Sequence, residues 1–196
     1  MAAIRFSQIA FASVAAASLS ACGINSVPTA EENAKAKWAD VEAQFQRRAN
    51  LIPNLAEVTQ GAAANERAIL TEVTEARARA TSVNVTANDL GNAEKMAEFQ
   101  AAQAQLGAGI GRLLASFEAY PQIQSNQNFL ALQSQLEGTE NRIAVAIRDY
   151  NEAVRQYNTT IRTFPDAIGA KIFHGAKPKV PFQASEGAQN APSVKF

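Results

Sequence analysis

Histidine, cysteine and tryptophan each occur once in this chain of 196 residues, and each scarcity excludes something. Cys22 alone cannot form an intrachain disulfide. His174, at the edge of a Pro- and Gly-containing C-terminal stretch, reads as an exposed residue and not as a general base. One histidine and one cysteine are too few for a zinc or haem site, and the Glu-x-x-His pairs of di-iron bundles do not occur. No cofactor and no metal site are expected. The 18 basic and 18 acidic side chains cancel, so no net field recruits nucleic acid or anionic lipid. Long apolar runs are absent too. Ile9 to Ala17 (IAFASVAAA) falls short of the roughly 20 residues that span a bilayer.

That short run has a function of its own. Arg5 ahead of it and small residues behind it make residues 1–21 a secretory signal. Leu19-Ser20-Ala21-Cys22 resembles the lipobox of bacterial lipoproteins. The resemblance implies cleavage before Cys22, a diacylglycerol on its sulfur and a further acyl chain, such as palmitate, on its amine. Several acyl chains hold far more firmly than one. Gly23, in place of Asp, favours the outer membrane facing the periplasm over the inner one. Residues 22–30 then read as a lipid-anchored tether, 31–174 as one helical domain and 175–196 as a flexible tail.

Residues 31–164 carry apolar side chains at helical spacing. Trp38, Val41 and Phe45 form one stripe, and Leu55, Val58, Ile69 and Val73 belong to another. Met96, Phe99, Leu106, Ile110, Leu113 and Phe117 form a third, with Gln103 as its polar member. The longest runs from Phe129 to Phe164. Thr86 and Asp89 resemble a capping box, and Asn126 or Ser125 can start the last long helix. The fold class is all-α: an antiparallel four-helix bundle of long helices, near 31–49, 50–81, 92–118 and 126–163.

The stretch QRRANLIPNLAEV decides the first reversal. Proline inside a helix forfeits a hydrogen bond and clashes with the carbonyl four residues back, at about 3 kcal/mol. With Asn50 as N-cap, Pro53 falls in a first turn, where the loss largely vanishes. Arg47 and Arg48 then end the preceding helix, where cations suit the dipole. A helix break at Pro53 is therefore expected. The alternative is one kinked rod over 31–81, about 75 Å long at 1.5 Å per residue.

Few polar residues stand near the apolar stripes. Tyr150-Asn151 and Tyr157-Asn158 lie seven residues apart on shared helix faces, and Thr139, Glu140 and Asn141 lie two to three turns earlier. Buried unpaired, such groups cost about 1–3 kcal/mol each, so partners are expected. Arg47 and Arg48 are candidates for Glu140. The Asn side chains of this layer are candidates for the backbone near Pro53, and Asn54 beside the proline is a further motif residue with a possible interaction. Two uses of this layer remain open: fixing helix register, or docking a partner. Gly107-Ala-Gly-Ile-Gly111 lies inside a helical stripe, so close helix packing is expected there and not phosphate binding.

The segments RRANLIPNL, TEARARA (Thr74–Ala80), Asn128–Pro165 and the closing EGAQNAPSVKF resemble the LemA family. The resemblance covers most of the chain beyond Cys22. It implies an all-helical bundle at a bacterial envelope and no enzymatic activity. Family members usually carry an N-terminal membrane-spanning helix; Cys22 marks the lipoprotein branch. The expected function is a non-enzymatic interaction or scaffold module. It would meet the membrane through lipidated Cys22 and would meet other envelope proteins or itself. The alternative is a carrier of an apolar, acyl-chain ligand.

Overall fold

The computed structural model describes residues 2–59 and 66–183, with side chains from Asn25 onward. All regular elements among them are helical: α1 Ala2–Thr59, α2 Arg67–Ser82, α3 Ala93–Phe117, α4 Pro121–Gln124, α5 Gln127–Thr160 and α6 Asp166–Ile172, with a 3₁₀ turn at Ala87–Gly91. Local chemistry sets several of these ends. Asn92 caps α3 by accepting from the amides of Glu94 and Lys95, and Asn126 caps α5 from Asn128 and Phe129. The Asp89 carboxylate accepts from the Thr86 amide and hydroxyl, at 3.0 and 2.7 Å, and so closes the 3₁₀ turn.

The expected break at Pro53 does not occur. α1 runs unbroken through Pro53 to Thr59, and the chain next becomes helical at Arg67. Asn50 is an exposed mid-helix residue that accepts from the Gln46 amide, not an N-cap. The penalty for an interior proline is met from elsewhere. Pro53 cannot donate to the carbonyl of Ala49, and the Arg77 Nε of α2 donates to it instead, at 2.8 Å. A charged donor is a strong substitute for the missing amide.

Two further expectations are corrected. Residues 25–30 are no tether: they are part of α1, and Val27 and Ala30 are buried against Tyr157 of α5 and Ala170 of α6. Two apolar residues were too sparse a signal, and their cover is a helix far along the chain. Nor is the segment after 175 loose as far as Gln183: residues 176–183 lie on the helices, with Val180 donating to the Leu90 carbonyl at 2.8 Å. Residues 184–196 lie outside the described residues.

Burial divides into three clusters. The largest joins Leu55, Val73, Leu106, Leu113, Phe117 and Leu136. A second joins Trp38, Phe45, Met96, Phe99, Ile143 and Tyr150, with Trp38 edge-on to both Phe99 and Tyr150 and its indole N–H donating to the Val85 carbonyl. The third gathers Val27, Ala30, Tyr157 and Ala170. Helices α1 and α5 run in opposite directions: Val27 meets Tyr157 at one end, and Arg48 meets Glu140 further along.

Candidate functional site: a buried arginine layer and a clasped C-terminal strap

Between the first two clusters the apolar run is interrupted at the same level on three helices. Arg48 of α1 stands between Phe45 and Leu51, Gln103 of α3 between Phe99 and Leu106, and Glu140 of α5 between Leu136 and Ile143. Arg48 is 4% exposed. One guanidinium nitrogen donates to Glu140 Oε1 at 3.0 Å; the other donates to the Gln103 carbonyl and Oε1 at 2.8 and 2.9 Å. Its charge also sits 5.0 Å from the Phe45 ring centre. Gln103 passes the chain of bonds on, donating to the Ala80 carbonyl at 3.1 Å. Both terminal guanidinium nitrogens thus have acceptors, as burial of the charge demands, while the buried Nε has none among the described residues.

The structure sorts the expected residues of this layer. Arg48, not Arg47, is the partner of Glu140; Arg47 is exposed, as are Pro53, Asn54 and Asn141. Thr139 is buried and donates to its own helix at the Gln135 carbonyl. Close packing holds for two of the three glycines in the run: a Cβ on Gly109 would stand 3.3 Å from Val73 and one on Gly107 3.4 Å from Arg48, whereas one on Gly111 would meet nothing within 4 Å.

The two Tyr-Asn pairs serve a different partner, the chain's own C-terminal segment. Gly175, with φ of +52°, takes the left-handed conformation that glycine supplies most readily, and the chain then returns along α5. Asn158 donates to the Lys179 carbonyl and accepts from the Lys179 amide, both at 2.8 Å. Asn151 does the same for Phe182, at 2.9 and 2.7 Å. Each side-chain amide thus mimics a neighbouring strand's peptide group. The spacing matches by arithmetic: seven helical residues advance about 10.5 Å, and three extended residues about 10 Å. The next rung up the helix is Ala144, which offers no amide, so two rungs complete the ladder.

Side chains reinforce the clasp. The Tyr150 hydroxyl donates to the Val180 carbonyl at 2.8 Å; burial pushes its phenol well above the usual range. Burial also raises Tyr157, whose ring lies 5.0 Å from the Lys179 ammonium. Lys179 in turn donates to Glu31 at 3.2 Å. Burial would raise the Glu31 carboxyl, but bonds and charge from Lys179 and then Lys35 outweigh it and hold the group below its ordinary value. Phe182 stacks on Phe45 with ring centres 5.9 Å apart. The Asn side chains therefore bond the strap backbone, not the backbone near Pro53.

Sequence reasoning missed Arg77, Lys179 and Phe182. Arg77 lay in plain sight inside TEARARA, but only the fold puts it opposite the carbonyl that Pro53 abandons. Cys22 lies outside the residues whose side chains are described. Among the described residues no helix is long and apolar enough to cross a membrane, and no group of three or more His, Cys, Asp or Glu could hold a metal ion.

Magnetosome proteins MamQ 1 and MamQ 2 of Paramagnetospirillum magneticum are each 30% identical to the chain over 158 residues, covering 72% of it. MamQ of Magnetospirillum gryphiswaldense is 29% identical over 157 residues. The match spans 58% of the length of these relatives. The LemA family model matches residues 37–196, which include the Arg48 layer, the α5 clasp and the strap, and the chain belongs to the LemA family.

Proposed function

We propose that the chain is a non-enzymatic envelope lipoprotein, anchored through acylated Cys22, whose helices serve as an interaction and scaffold module. In this reading α1, α2, α3 and α5 make an up-and-down four-helix bundle. The observation that carries the reading is where the polar side chains near the core are used. Arg48, Gln103, Tyr150, Asn151 and Asn158 all bond to the chain itself. They fix helix register and clasp the strap, and the clasp sets the point from which residues 184–196 start. The relatives are named for a cell structure, the magnetosome, and not for a reaction, which favours a part in an assembly.

The Leu19–Cys22 sequence supports the anchor, and Gly23 supports the outer membrane facing the periplasm. Partners would be other envelope proteins or further copies of the chain, with no nucleic acid. The test is intact mass of the N-terminal peptide from the native host, together with in-cell photocrosslinking from exposed positions such as Asn141. Acylated Cys22 and a recurrent protein adduct are expected. Turnover of a substrate by the purified chain, or an unmodified Cys22, would overturn the reading.

A second reading, a carrier of an acyl chain, is favoured by one feature. A cleft of about 560 Å³ lies between α3 and α5 over Arg48, walled by Phe45, Ala97, Ala101, Ile143, Ile147 and Phe182. Native mass spectrometry distinguishes the two, since a carrier retains a co-purifying lipid.

A further inference from the structure

Exposed large apolar side chains gather at one place. Among the described residues, six such side chains are exposed, and Phe164, Ile168, Ile172 and Phe173 fall within ten residues in and around α6, at 73, 44, 68 and 64% exposure. Ile168 and Ile172 share a face at i, i+4. The opposite side of the same helix, Gly169 and Ala170, is buried, and Ala170 packs with Val27, Ala30 and Tyr157. The helix therefore sets two small residues against the protein and turns its large apolar side chains outward.

Along the chain the charges around this edge are mostly basic, and Lys177 shares a cleft with Glu31, Asp89 and Glu94 of other elements. Arg162, Lys171 and Lys177 are exposed beside it. The one acid between Ile161 and Pro178 is Asp166, whose carboxylate accepts from the Ser26 hydroxyl at 2.7 Å. The zero net charge of the whole chain hides this local excess. Position matters as much as composition. Ser26 ties α6 to α1 four residues after Cys22, about 6 Å along a helix at 1.5 Å per residue.

We propose that this edge of α6 lies in the boundary between headgroups and acyl chains of an anionic bilayer. A lipid surface fits better than a second copy of the chain. Amphipathic segments with aromatic and aliphatic residues on one face and basic residues beside it bury about 5–10 Å into that boundary, and basic side chains near the surface add attraction to anionic lipid. The acyl groups would supply a tether and α6 a second contact, so the body would stand on the membrane in one orientation. The geometry rests on the reading of Cys22 as the anchor.

The test uses the full chain carrying Phe173→Trp, once acylated and once with Cys22→Ala, mixed with vesicles of phosphatidylcholine and phosphatidylglycerol in equal parts. The acyl chains are brominated to quench a shallow indole. Trp38 is 1% exposed in the core and serves as the internal reference. Quenching of the introduced indole is expected in both forms. In the Cys22→Ala form, Ile168→Asp with Ile172→Asp should weaken vesicle binding roughly tenfold, as should removal of anionic lipid. An unquenched indole on an acylated, vesicle-bound chain overturns the proposal and leaves the anchor standing. Concentration-dependent burial of the indole without lipid overturns it in favour of self-association. Absence of acyl groups from the native protein sinks the anchor instead, while quenching in the Cys22→Ala form still reads α6.

Discussion

Replacing Asn151 and Asn158 together by Ala should free the strap without unfolding the helices. The double variant removes four hydrogen bonds of 2.7 to 2.9 Å to the backbone of Lys179 and Phe182. These groups are part-buried, so water replaces each lost partner, and about 1 kcal/mol per bond is appropriate, about 4 kcal/mol in all. That corresponds to a roughly thousandfold rise in the opened population at 1.4 kcal/mol per decade. Amide hydrogen exchange reads it directly. The reporter is the Val180 amide, because its acceptor is the Leu90 carbonyl and neither substitution touches that bond. Its exchange should accelerate by about three decades, while α3 amides near Leu106 change by less than about one, since opening is local. Asn→Asp at both positions should give an intermediate effect: a carboxylate still accepts from the amides but cannot donate to the carbonyls of Lys179 and Phe182. Unchanged protection of Val180 would show that Phe182 on Phe45 and Lys179 on Glu31 hold the strap unaided, and the ladder argument would be wrong. Equal loss at Val180 and in α3 would show that strap and helices open as one unit.

Other expectations follow from the same contacts. Arg77→Ala should cost about 1–3 kcal/mol with Pro53 in place, because the Ala49 carbonyl loses its donor, and much less in a Pro53→Ala background that restores an amide; additive urea-denaturation losses would refute the substitution of side chain for backbone. Arg48→Ala should cost about 3 kcal/mol, because it empties a buried site and takes a donor from Gln103, and Glu140→Ala should cost about 1–3, because it strips an acceptor from a guanidinium that stays buried; no measurable loss from Glu140→Ala would show that Gln103 alone satisfies the charge. Gly111→Ala and Gly138→Ala meet nothing within 4 Å and should each stabilise by about 0.5–1 kcal/mol, raising Tm, while Gly109→Ala, held 3.3 Å from Val73, should not. The Glu31 carboxyl is lower in the folded chain than in the unfolded one, so its contribution is present above pH 4.5 and is lost as pH falls below that; Glu31→Gln should flatten the urea midpoint between pH 6 and 3 relative to the unsubstituted chain.

What could be read from the residues alone follows a physical line. Helix α3 was legible because its buried stripe and its Asn92 cap lie within one continuous segment, and even its polar member, Gln103, stood out against the period. The clasp was half legible. Asn151 and Asn158 announced a shared face through their spacing, but their partner is an extended segment, which carries no helical periodicity to match. Pro53 misled because helix-breaking rules count donors within the chain's own helix, whereas the compensating donor is Arg77, 28 residues beyond the Ala49 carbonyl it serves. Val27 and Ala30 gave no pattern of their own; burial there depends on α6, a seven-residue helix whose apolar residues face mostly outward. The Arg48 layer was visible as a cost to be met, and the pairing with Glu140 came from chemistry; choosing Arg48 over Arg47 required knowing which side of α1 faces inward.

The ladder's geometry also limits how the end of the chain can slide. Moving the strap by one residue so that its preceding members face the two asparagines would present Pro178 and Pro181, neither of which has an N–H to give. Both pairings would lose half their bonds in the same step. A shift of three residues would regain backbone partners but would take Lys179 away from Glu31. The two imino acids thus act as wards in a lock: in that direction the segment has no adjoining notch to slip into.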